Sequence, residues 1–234
     1  MPDAGPPQLV VCHYDHRFLV ADCVRTITTI PLPMPPKLPS TRLALTDLLA
    51  EVRACRHCAS DLPLGPNPVL RAGETARLLI VGQAPGTRVH ASGIPWNDPS
   101  GERLRQWLQM DREQFYDTAN IAIVPMGFCY PGRGKSGDLP PPPECAPRWH
   151  GPLLERMPDL RLVLLVGRYA QNYYLGDSRE TLAERVRRFG DFAPRFFPLP
   201  HPSPRNTLWL RRNPWFDAEV LPALRERVAE ALSH

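Results

Sequence analysis

Three apolar runs in this chain end against short motifs of small and polar residues, and that pairing constrains its fold more than any other feature. Leu78–Val81 runs into Gly82-Gln83-Ala84-Pro85-Gly86, residues 121–124 follow Asn120 and lead to Cys129, and Phe196–Leu199 runs into His201-Pro202-Ser203-Pro204. Short, wholly apolar runs read as strands buried on both faces. Small residues, an amide and a histidine are then expected at the carboxyl ends of neighbouring strands, converging on one crevice of an open α/β sheet. That arrangement describes an active site better than a core.

The 234 residues, 43% of them apolar, suffice for one α/β domain with a sizeable core. No run approaches the roughly 18 apolar residues of a membrane helix, and no basic-then-apolar leader opens the chain, so a cytoplasmic protein is expected. The net charge of +4 is compatible with nucleic acid without demanding it.

Thirty prolines cluster rather than scatter. Residues 1–40 carry Pro6, Pro7, Pro31, Pro33, Pro35, Pro36 and Pro39 around one short apolar stretch, Phe18 to Val24, and read as a weakly ordered extension. Met34 offers an alternative start. A second region, 41–234, is the expected folded domain. Ser40 is the expected cap of a helix bearing Leu45, Leu48, Leu49 and Val52 on one face. Strands and helices then alternate. Helices are expected around Leu104, Trp107 and Leu108, over 169–175 and over 217–232, and a further strand over Leu162–Val166. Alternation implies a mainly parallel sheet covered on both faces.

Cys55 and Cys58 have two residues between them at the end of the first helix, and Cys129 and Cys145, with fifteen residues between, are expected on a Pro/Gly-rich loop. Such a pair lets two thiolates reach one metal, and the later two complete a four-thiolate shell for zinc or an iron–sulfur cluster. The plainer reading is four ordinary buried cysteines.

Cys55 with Cys58, Leu64-Gly65-Pro66, Val81-Gly82-Gln83-Ala84-Pro85-Gly86, Asn120 with Cys129 and Cys145, and His201-Pro202-Ser203 together resemble the uracil-DNA glycosylase superfamily, most of all its iron–sulfur-containing, family 4-like branch. The resemblance spans residues 45 to 230. It implies a three-layer α/β/α sandwich with a central, mainly parallel four-stranded sheet, and a 4Fe–4S cluster on Cys55, Cys58, Cys129 and Cys145, with zinc the alternative. It further implies base excision from DNA by hydrolysis, without an organic cofactor, by a monomer.

Under that resemblance each motif acquires a chemical role. A glycosylase must take its base out of the stack, and the flipped base needs an aromatic surface. Trp96 holds that position, although a core tryptophan is the plainer reading. A uracil edge presents O4 to a donor and N3–H to an acceptor, and one carboxamide offers both. Asn120 is the expected reader, or else caps the start of its strand. His201 is expected about 3 Å from the departing base's O2, stabilising its negative charge. Gly82, Ala84 and Gly86 bring main-chain N–H groups close. Ser203 caps a turn or contacts phosphate. His57 and His150 are treated as incidental.

The chain departs from the pattern at Gln83, where the iron–sulfur branch carries a glutamate. Asp98 is the substitute carboxylate, with helix capping as its other reading, and Gln83 is expected to position water through hydrogen bonds. Uracil is the first-choice base. Hypoxanthine and a catalytically weak DNA-binding protein are the alternatives, and a small-molecule enzyme using the 82–86 loop as a phosphate cradle is a distant third. Leu208 to Leu210 is expected to wedge into the space left by the flipped nucleotide, with Arg205, Arg211, Arg212, Arg133 and Lys135 on phosphates. The other reading of this segment packs its aromatics at a helix start.

Overall fold

A computed structural model describes residues 44–135, 137–177 and 179–233, all within one compact unit. The extension over 1–40, its Met34 start and the Ser40 cap lie outside the described residues. Helix α1 spans Leu45–Arg53, burying Leu45, Leu48, Leu49 and Val52 as their spacing requires. Strand β1 (Leu78–Val81) is followed by α2 (Thr87–Ser92), α3 (Pro99–Leu108) and α4 (Arg112–Tyr116). Next come β2 (Ile121–Ile123), the short hairpin β3 (Arg133–Gly134) and β4 (Gly137–Asp138), and α5 (Cys145–Leu154). The remainder is β5 (Leu162–Val166), α6 (Arg168–Leu175), α7 (Leu182–Arg187), β6 (Phe196–Leu199), α8 (Thr207–Arg212) and α9 (Leu221–Leu232).

The main sheet has the order β2-β1-β5-β6, with every pairing parallel. Successive residues of each strand point to opposite faces, and the sheet sorts its side chains accordingly. Leu78, Ile80, Ile121, Ile123, Leu162 and Leu164 pack with Leu104 and Trp107 of α3 and Leu224 and Val228 of α9. Leu79, Val81, Ala122, Val163 and Leu165 pack with Leu48 and Val52 of α1, Leu153 of α5 and Ala170 of α6. Two apolar layers on one sheet make the three-layer α/β/α sandwich. Pro198 lacks an N–H for the ladder, and it sits in β6, an edge strand where none is needed.

Two expectations are corrected. The closing helix does not run unbroken over 217–232: residues Phe216–Val220 form a wide π turn before α9. Pro222 explains the break, because its ring displaces the carbonyl four residues back and it has no N–H to donate. Cys145 is not on a loop. It opens α5, a helix that tolerates Pro147 in its first turn and carries Pro152 near its end. Among the described residues no helix is long and apolar enough to cross a membrane.

Candidate active site and cysteine cavity

The winding of the sheet reverses between β1 and β5, and a cleft of about 440 Å³ opens at the carboxyl edge there. The 82–86 loop after β1, Pro125 beyond β2, and His201 beyond β6 line it together. Trp96 and Asp98 enter from the turn before α3, Ser100 from its first turn, Gly137 and Asp138 from the β3–β4 hairpin, and Ser203, Arg205 and Asn206 from the segment after His201.

Trp96 is positioned by unusual backbone geometry. Its φ of 56° is a left-handed conformation that a bulky residue adopts only when its surroundings hold it there. Arg105, buried in α3, donates to the Trp96 carbonyl at 3.3 Å. Gly101 allows the close approach, since a Cβ there would fall 1.8 Å from that same oxygen. The indole ring lies over Gly82, where a Cβ would meet it at 2.7 Å, and its centroid is 5.6 Å from the His201 ring. Trp96 thus lines the cleft and also packs on the core beneath it.

His201 Nδ1 accepts the Ser203 backbone N–H at 3.2 Å, so the neutral ring carries its proton on Nε2. Burial holds its pKa below the ordinary histidine value, and the Asp98 charge opposes that shift in part. Asp98 Oδ1 accepts from Gly101 N–H at 2.8 Å and caps α3, while the residue also faces the cleft. Capping and cleft exposure therefore coexist. Gln83 lines the cleft and its amide nitrogen donates to the Leu139 carbonyl at 3.2 Å, tying the hairpin to the 82–86 loop. Ala84 and Gly86 line the same wall.

The structure moves Asn120 out of the site. It precedes β2, at the amino edge of the sheet, level with Arg77 just before β1. Gly82 is five steps beyond Arg77 along β1, roughly 16 Å at the usual strand rise. The Asn120 side chain donates to Asp117 at 2.7 Å, and its carbonyl receives the Arg77 and Leu78 N–H groups. It shapes a turn and starts a strand, the capping role, and stands outside the cleft wall. At the cleft end of β2 stands Pro125, whose carbonyl accepts from His150 Nε2 at 3.0 Å. Tyr174 in turn donates to His150 Nδ1 at 2.7 Å. Burial pushes the His150 pKa down to about 4, so this ring is a neutral brace behind the cleft.

Ser203 Oγ accepts from Arg205 N–H, capping the turn over Pro204–Asn206. Leu208 and Arg211, on α8, lie outside the cleft wall and are exposed, as is Arg212. Trp209 and Leu210 turn toward the core, with Trp209 edge-on to Trp215 and Phe216. Leu208 is the apolar side chain this segment leaves to solvent, 56% exposed. Arg133 and Lys135 are exposed on the hairpin.

Cys55, Cys58, Cys129 and Cys145 line one small second cavity, together with His57, Leu62, Phe128 and Trp149. Burial pushes the thiols of Cys58, Cys129 and Cys145 upward, Cys145 to about 12, and the neighbouring thiols raise one another further. Phe128 N–H points at Cys145 Sγ, 3.4 Å away. Among the described residues no three His, Cys, Asp or Glu side chains form a ready single-ion site.

Asp138, Asn206, Pro125 and Arg105 belong to the cleft or its support without having been marked by sequence motifs. The first two arrive through a hairpin and a turn inside proline-rich stretches. The model of the uracil DNA glycosylase superfamily matches residues 71–225, which take in the whole cleft wall except Val69 and, of the four cysteines, Cys129 and Cys145.

Proposed function

The chain belongs to the uracil-DNA glycosylase superfamily, and from that premise we propose that it flips a deaminated base, uracil in the first instance, out of DNA and hydrolyses its N-glycosidic bond. The observation that carries this reading is the pairing of Trp96 and His201 over Gly82, an aromatic face and a fixed N–H donor within one cleft. A base entering the cleft stacks on Trp96. His201 Nε2–H then meets O2, where negative charge gathers as the bond breaks, and a neutral donor in a partly dry site stabilises that charge strongly.

With Asn120 at the far edge, the carboxamides that remain in the cleft among the described residues are Gln83 and Asn206. Each spends one N–H, on the Leu139 and His201 carbonyls respectively, and each keeps an oxygen and a second N–H for a base edge. That pair suits uracil, and it suits the O6 and N1–H of hypoxanthine as well. The absence of an ionisable side chain from 82–86 favours, as a second reading, a slow or purely DNA-binding protein on the same fold.

We assign the four cysteines to a 4Fe–4S cluster, the feature of the iron–sulfur branch. Thiols distributed around one cavity, rather than focused on a point, suit a cluster that bonds each thiolate at a separate iron. The cluster would tie the end of α1, the loop after β2 and the start of α5 beside the cleft, leaving base removal to the protein's own side chains. Zinc takes the same four-thiolate donor set, and the spread of the thiols around the cavity favours the cluster over it. Four cysteines outside any disulfide fit the reducing cytoplasm. Leu208 would wedge into the vacated stack, and Arg205, Arg211 and Arg212 would bind phosphates. The glycosylase domain is assigned to 41–234, acting as a monomer without organic cofactor, with 1–40 as a separate extension.

The test is base release by anaerobically purified protein from oligonucleotides carrying uracil, hypoxanthine or xanthine, single-stranded and opposite each partner base. Alkali-labile strand breaks at one lesion, with the free base identified, support the reading. No release from any lesion by iron-loaded protein that still binds DNA refutes it and favours the binding protein.

A further inference from the structure

Among the described residues two carboxylates line the cleft, Asp98 and Asp138, and they differ in what else they do. Asp98 spends one oxygen capping α3 and its charge bears on His201. Asp138 ends β4, and among the described residues its carboxylate makes no hydrogen bond or ion pair. Its Oδ2 reaches the glycine loop, since a Cβ on Gly86 would lie 3.5 Å away.

The hairpin that carries Asp138 is held from three sides. Gln83 donates to the Leu139 carbonyl, Leu139 N–H donates to Gly132, and the Arg205 guanidinium lies against Gly137, where a Cβ would meet Nη1 at 2.6 Å. Depth sorts the cleft. Gly82 is buried and Trp96 and His201 are half-buried, forming the floor, whereas Asp138 and Arg205 are exposed at the rim. A flipped nucleotide enters base first, so the deoxyribose halts at the level of the rim.

We propose that Asp138 is a catalytic residue facing the sugar, supplying from the hairpin the carboxylate that the Gly82-Gln83-Ala84-Pro85-Gly86 motif lacks. The inference rests on the glycosylase reading. The bond from C1′ to the base nitrogen breaks and its electron pair leaves with the base, whose anion His201 steadies. The positive charge growing on the sugar lies beside the Asp138 carboxylate. Water bonds to C1′, its proton passes to Asp138 and then to solvent, and the released base takes a proton from solvent. Gln83 is then a positioning residue, holding the hairpin at the rim.

The test compares Asp138→Asn with Asp98→Asn, which keeps a capping side chain at the start of α3. Two readouts are taken: single-turnover base release, and binding to duplexes carrying a cationic pyrrolidine sugar against a neutral tetrahydrofuran sugar. Asp138→Asn is expected to slow release by about 10²-fold or more and to abolish the preference for the cationic sugar, with affinity for the neutral duplex retained. Rates within about threefold of wild type and an unchanged preference overturn the proposal, as does loss of the preference in Asp98→Asn alone. An Asp138-dependent preference in wild-type protein that releases no base sustains the placement of Asp138 and defeats the glycosylase reading instead.

Discussion

In the cleft the protein holds its own polar parts in place. Ser203 N–H sets the His201 tautomer, Gly101 N–H anchors Asp98, and the Leu139 carbonyl anchors Gln83. The cysteine cavity is built otherwise. Its four thiols come from the end of α1, a loop and the start of α5, and burial raises the pKa of three of them. A site organised by hydrogen bonds is ready for its ligand, whereas a ring of half-buried thiols is completed only by a cation that draws their protons off. The cleft is preorganised by the fold, and on the assignment above the cavity is organised by its cluster.

Substitutions can set the two regions against each other. His201→Ala should cost the largest factor, about 10²- to 10³-fold in single-turnover base release, with iron content and melting temperature nearly unchanged. Gly82→Ala attacks the same site sterically, by driving a methyl group into the Trp96 ring. About a 10-fold loss of release is expected, together with altered indole fluorescence. Cys145→Ala should invert the pattern: iron and its visible absorbance are lost, the melting temperature falls, and residual base release tracks the fraction still folded. Retention of iron by that variant would dissolve the contrast between the regions.

Acid should act on the cleft and the support behind it through histidine, more gently. His201 and His150 bind protons more readily in the unfolded chain than in the folded one, so folding stability drops as the pH falls below about 6.5. The His150 contribution continues to fade down to about pH 4, and unfolding titrations of His150→Leu should lack that portion.

The strands could be read from the sequence because four short apolar runs, buried on both faces, have few other structures open to them. Trp96, Asp98, Gln83 and His201 were legible because they follow those runs or abut a helix start. Asn120 misled because it precedes its strand, and in a parallel sheet one strand length separates the two edges. Asp138 was hidden by a hairpin of two-residue strands in a Gly/Pro-rich stretch, with no periodicity to betray it. Short helices α4 and α7 did leave a signal in their capping boxes, Asp111 with Gln114 and Thr181 with Glu184.

The central claim is that the chemistry sits at the carboxyl edge of the sheet and not at its amino edge. Single-turnover base release by Asn120→Ala, measured beside wild type and His201→Ala, tests it most directly. The account predicts an Asn120→Ala rate within about twofold of wild type, with a stability loss of about 1 kcal/mol from the weakened turn. A loss matching that of His201→Ala, in protein that remains folded, would contradict it.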